Sequence, residues 1–143
     1  MFEIGDKLVH SPEGVCVVED IVEMDVEKEK KEYYMLRSIT DHSVVVYVST
    51  QSSRNSLRKL KSKEEIKTLL NVNPEEEIFL KQNNQKKINI QKQVILKDDS
   101  EKLMGLIKLY SRKKEQSGLS IGDNLWLEHA KKYLMTEISE VLG

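Results

Sequence analysis

Apolar positions recur with two different periods along this chain, and the change falls near residue 55. Before it, short β-branched and aromatic runs alternate with turn residues, as strands do. Phe2, Ile4, Leu8 and Val9 open the chain, with Gly5-Asp6 breaking the run. Ser11-Pro12-Glu13-Gly14 reads as a turn, because proline fixes φ at the second position and glycine supplies a positive φ later. Val15-Cys16-Val17-Val18 is the next strand, and Ile21, Val22 and Met24 lead into a charged hairpin tip at Asp25–Glu32. Tyr33-Tyr34-Met35-Leu36 starts another strand, and Thr40-Asp41-His42-Ser43 is a turn by composition. Val44–Val48, with four valines and no Gly or Pro, gives the strongest strand signal of all. Four or five short strands with tight turns predict a small curved sheet or half-open barrel of the SH3-like or Tudor-like kind. Ser49–Ser56 is polar and reads as the link out of it.

After the link the period becomes helical. Ser62-Lys63-Glu64-Glu65 is a capping box, followed by Ile66, Leu69 and Leu70, with an end near Asn71. Asn73-Pro74-Glu75-Glu76-Glu77 predicts a second helix start that buries Ile78, Phe79 and Leu80. Asn83-Asn84-Gln85 marks a weak point or connection. From Lys86 to Leu96 helix is the reading taken, although Ile88 and Ile90 alternate as in a strand. Asp98-Asp99-Ser100-Glu101 caps a helix with a wide apolar stripe from Leu103 to Tyr110, which Gly118 stops. Ser120 caps the last helix, where Leu127, Ala130, Leu134, Ile138 and Val141 recur at three- and four-residue spacing. The class is therefore α+β: an SH3/Tudor-like small β-barrel over 1–55, then an all-α domain over 60–143.

The 143 residues hold 33% charged and 38% apolar side chains, a soluble and foldable mixture. No apolar run approaches the roughly 18 residues of a membrane helix, and no signal peptide opens the chain. A single cysteine suits a reducing compartment, so a cytoplasmic location is expected. Net charge is −1 but unevenly spread. Residues 1–60 hold eight Lys/Arg against eleven Asp/Glu, and residues 61–143 fifteen against thirteen. Within the second part, residues 81–97 carry five lysines and no acid. Such a run is either a solvated helix face or a positive face for phosphates.

Little in the sequence resembles catalytic machinery. There is no P-loop, no dinucleotide glycine fingerprint and no Cys-x-x-Cys. Cys16 sits in a valine run and reads as a buried small hydrophobe. His10 and His42 fall near turns and read as solvated; His129 has no histidine four residues away to share a metal. Trp126 reads as packing for the last helix, since Leu125 and Leu127 flank it and Ala130 and Tyr133 follow one and two turns on. The expectation is a chain without enzymatic activity, cofactor, metal or small-molecule substrate. The Val44–Val48 strand is the binding candidate, because a small open sheet leaves an edge that another chain's strand can join.

Phe2-x-Ile4-Gly5-Asp6-x-Leu8-Val9-x-x-Pro12-x-Gly14-Val15, then Glu32-Tyr33-Tyr34-x-Leu36 and the valine-rich strand, resembles the CarD/CdnL family of bacterial transcription factors. The same module opens the polymerase-interacting domain of the transcription-repair coupling factor. Gly118-Leu119-Ser120-x-Gly122-Asp123, with Ala130 and Leu134-x-x-Glu137-Ile138, looks like that family's last helix. The resemblance implies a non-enzymatic regulator that adds a strand to the RNA polymerase β subunit. It also implies a helical domain that contacts promoter DNA and modulates open-complex stability.

The implied polymerase-binding positions are Met24 and Tyr47, where relatives often carry arginine, with Val44 and Val46 on the same edge strand. The family's DNA-wedging tryptophan falls by spacing at Asn84 or Gln85, and a basic family position falls at Asn124. Lys86, Lys87 and Lys92 are left for weak, sequence-independent phosphate contacts. The alternative is a protein–protein adaptor on polymerase that does not engage DNA.

Overall fold

In the computed structural model, the β-branched runs of the first sixty residues form one antiparallel sheet of order β4-β3-β2-β1-β5. Its strands are β1 (Lys7–His10), β2 (Gly14–Val26), β3 (Glu29–Ser38), β4 (Val45–Ser49) and β5 (Leu57–Lys59). The structure describes residues 1–53 and 56–143; the predicted link includes Arg54 and Asn55, which lie outside the described residues. The described chain divides into two units, Met1–Leu60 and Lys61–Gly143. The class is α+β, as the patterning predicts.

The sheet's core lies on one face. Leu8, Cys16, Val18, Tyr34, Leu36, Val48 and Leu57 form one buried cluster with a contribution from every strand. Val48 and Leu57 belong to opposite edge strands, so the sheet curves around this cluster. The β1–β2 turn is as read: Gly14 has φ 92°. The β2–β3 tip is tighter than its charged composition predicts. Both strands run through it, and only Glu27 and Lys28, with φ 51° and 68°, make the turn. The other difference is β5, which the sequence reading does not contain. His10 is also not solvated; it is half-buried with Nδ1 enclosed and unpartnered, and burial lowers its pKa against the opposing pull of Glu13.

The second unit contains α1 (Lys63–Leu70), a 3-10 helix (Glu77–Lys81), α2 (Asn84–Leu96), α3 (Ser100–Ser117) and α4 (Ile121–Leu142). The local caps are as read. Ser62 and Glu65 form the reciprocal box, and Asp99 and Ser120 accept the amides of Lys102 and Asp123. The helix predicted from Asn73 does not form. The Glu75 amide instead donates to the Gly105 carbonyl at 3.0 Å, which holds residues 73–75 against α3. Helical structure begins only at Glu77, and of Ile78, Phe79 and Leu80 only Phe79 is buried. Leu70 is likewise exposed.

Polar groups tie the helices together. Buried Gln91 donates to the Tyr110 hydroxyl at 2.8 Å and to Asp123 Oδ1 at 3.0 Å. Trp126 Nε1 donates to the Gln91 carbonyl at 3.1 Å and packs edge-on against Tyr110, centroids 5.0 Å apart. Trp126 is thus a packing residue, as its neighbours predict. Glu137 is buried on α4 and accepts the Lys61 amide at 2.8 Å. Among the described residues no helix is long and apolar enough to cross a membrane.

Candidate functional site

The feature that stands out in the N-terminal unit is the outer edge of β4. In an antiparallel ladder alternate residues turn both main-chain groups to the neighbouring strand, and the residues between turn both away. Two bonds set the phase. Ser38 N donates to Val44 O at 3.1 Å, and Thr50 N donates to Glu32 O at 3.1 Å. With Tyr34 opposite Val48 and Leu36 opposite Val46, positions 44, 46, 48 and 50 face β3. Val45 and Tyr47 therefore turn their N–H and C=O outward. Among the described residues no strand pairs with that side.

Both ends of β4 are pinned. Arg37 Nε bonds both Glu19 carboxylate oxygens, at 2.9 and 2.7 Å, and its guanidinium also reaches the His42 carbonyl. Asp41 Oδ1 accepts from Ser43 N at 3.0 Å and from Ser43 Oγ at 2.6 Å. At the far end Ser49 Oγ accepts the Gln51 amide at 3.3 Å. The edge is thus held extended before anything joins it.

The two sheet edges differ in kind. Natural edges are blunted by lysine, proline, bulges or shortness. β5 is three residues long and carries Arg58 and Lys59. β4 reads Val-Val-Tyr-Val-Ser, with no charge, proline or bulge. An unprotected apolar edge is a site for strand addition.

Side chains extend this surface across the sheet. Tyr47 is 49% exposed. It lies opposite Met35, and Val45 lies opposite Arg37, on the face away from the core. The ladder of β2 and β3 continues the same face through Tyr33 and Val22, then Lys31 and Met24. Met24 and Tyr47 thus share one face, though they are 23 residues apart. Val44 and Val46 turn their main chain to β3, and Val46 packs on the core. The sequence reading does not single out Val45; that its main chain turns outward follows from ladder phase, which is not visible before the register is known.

The DNA-facing candidates of the helical unit are placed differently from one another. Asn84, Gln85, Lys86 and Lys92 are exposed on α2. Gln85 Nε2 bonds Asn89 Oδ1 at 3.3 Å within the same helix. Lys87 turns inward: its side chain is 15% exposed and Nζ lies 4.0 Å from Asp123 Oδ2. Asn124 is half-buried on α4, with an enclosed, unpartnered Oδ1. Among the described residues no group of three or more His, Cys, Asp or Glu side chains is arranged to hold a metal ion.

A Bacillus subtilis (strain 168) protein named "Putative transcription factor YdeB" is 23% identical over 145 residues, covering 100% of this chain and 94% of its own. Residues 2–61, which span the whole five-stranded sheet, match the family described as CarD-like/TRCF RID domain.

Proposed function

We propose that this protein is a cytoplasmic transcription regulator, not an enzyme, that docks on RNA polymerase by pairing β4 with a strand of the β subunit. The observation that carries the proposal is the uncovered, uncharged edge of β4, in a unit whose family is that of transcription-associated domains. Val45 and Tyr47 offer two donors and two acceptors to an incoming strand. Each bond formed adds about 0.5–1.5 kcal/mol net. Tyr47 supplies an aromatic contact beside the joined strands, and Met24 extends the contact along the β2–β3 hairpin. The transcription-factor name of the Bacillus subtilis relative supports the same reading.

The helical unit contributes weak phosphate contacts through exposed Lys86 and Lys92, with Asn84 and Gln85 beside them. These contacts modulate the lifetime of the open promoter complex. Their strength depends on salt and not on base sequence.

Two observations favour a pure adaptor. Lys87 is held by Asp123, and no aromatic stands at Asn84 or Gln85 to wedge between bases. Two measurements decide. In binding to purified β subunit, Tyr47→Ala weakens affinity by roughly tenfold while circular dichroism stays native. Absence of binding by the unmodified protein overturns the proposal. Promoter-complex lifetime changes when the protein is added; an unchanged lifetime with polymerase still bound selects the adaptor.

A further inference from the structure

Of the five lysines in residues 81–97, Lys81, Lys86, Lys92 and Lys97 are exposed and Lys87 is not. Among the described residues, Lys87 is also the one of the five with an acidic partner, its Nζ lying 4.0 Å from Asp123 Oδ2. The two side chains are only 15% and 17% exposed, so salt screens this pair less than it would a surface pair.

Asp123 is set in place without Lys87. Its Oδ1 accepts the Gln91 side-chain amide at 3.0 Å, and its own amide donates to the Ser120 hydroxyl at 3.2 Å. Gln91 is itself fixed by the Tyr110 hydroxyl and, through its carbonyl, by the Trp126 indole. Hydrogen bonds that involve no lysine therefore already join α2 to α4. At 4.0 Å the ammonium is beyond hydrogen-bond reach, so it adds charge and not a further tie. An acid in the first turn of α4 suits the helix dipole, which explains Asp123 but not why Lys87 turns toward it. A solvated lysine face explains the other four lysines but not the one whose charge is cancelled beside them.

We propose that Asp123 is a built-in counter-ion that withholds Lys87 from nucleic-acid phosphate. The carboxylate, anchored by Gln91, takes the place of a phosphate oxygen at Lys87 Nζ and cancels one charge of the α2 lysine face. Asp123 is thus a positioning residue that acts through Lys87. Releasing Lys87 adds one phosphate contact, which changes affinity and salt dependence but not base preference. This rests on the reading of exposed Lys86 and Lys92 as phosphate contacts, and is independent of strand addition at β4.

The test measures binding of the full chain to a short duplex DNA of arbitrary sequence over a series of salt concentrations. Asp123→Asn keeps an acceptor for Gln91 and removes the charge. It binds more tightly, and its slope of log affinity on log salt is steeper by about 0.9, the increment of one phosphate contact. Adding Lys87→Ala to this variant removes the gain. Emission from Trp126, the single tryptophan, checks that the α2–α4 contact stays native. No gain with Asp123→Asn, or a gain that survives Lys87→Ala, overturns the proposal.

The unaltered protein supplies a second test, by amine labelling read by mass spectrometry. Lys87 reacts more slowly than Lys86 and Lys92, and DNA slows only the latter two. Rapid labelling of Lys87 that DNA suppresses overturns the proposal. The double variant Lys86→Ala, Lys92→Ala tests the underlying reading separately, and should flatten the salt slope by about 1.8. If it binds as the unaltered protein does, the phosphate reading falls and this inference with it. If it weakens while Asp123→Asn gains nothing, only this inference falls.

Discussion

Cys16 shows how much one residue can be judged from its neighbours. A thiol among Val15, Val17 and Val18 reads as core, and the side chain is fully enclosed. Burial, with a smaller contribution from Glu13, pushes its pKa from 9.0 up to about 11. At about pH 8 it therefore holds about one-hundredth of the thiolate of an ordinary cysteine. Iodoacetamide should leave the native protein unmodified and label it once in urea; rapid native labelling would contradict the burial. The same shift has a stability consequence. The folded thiol ionises at higher pH than the unfolded one, so its contribution is complete below pH 9 and is lost as pH rises through about 11. Tyr110, pushed up to about 12 by burial, acts in the same direction at higher pH. Urea midpoints should fall across this alkaline range. His10 was less legible, because its enclosure depends on contacts that a turn composition does not reveal.

Elements with local causes were legible, and elements with distant causes were not. The caps at Ser62, Asp99 and Ser120 each need only a side chain and an amide three residues on. Asn73-Pro74 carries an equally good start signal, yet it is overridden by the bond from Glu75 to Gly105, thirty residues away. The strand β5 is too short and too charged to be seen, and it exists because β1 supplies the partner. Gly105 is the reciprocal clue. A methyl there would meet Glu75 Cγ at 3.1 Å and the Asn73 carbonyl at 3.2 Å, whereas Gly122 has nothing within 4 Å. Gly105→Val should destabilise the helical unit by about 1–3 kcal/mol through overpacking. Gly122→Ala should be neutral or stabilising by up to about 1 kcal/mol. Equal melting temperatures for the two variants would show that the docked segment is dispensable.

At the scale of the whole molecule, the described chain divides into two units, and the proposed docking strand belongs to the first. The valine-rich strand was visible as a binding candidate from the sequence, but which of its residues are presented was not. That depends on ladder phase, and phase appears only with the register that makes Val46 and Val48 internal and Val45 and Tyr47 external. The helical unit carries exposed lysines on α2 and a basic cleft between the 3-10 helix and α3.

The central claim is that an incoming strand pairs with the main chain of β4, and the Val45→Pro variant tests it most directly. The Val45 N–H points away from β3, so proline removes a donor that the fold does not use, and edge strands accept proline at such positions. Measured against purified RNA polymerase β subunit, Val45→Pro should keep a native circular dichroism spectrum. It should bind at least roughly tenfold more weakly, because the partner's carbonyl is left unpaired in the interface. Native folding with undiminished affinity would contradict strand addition at β4.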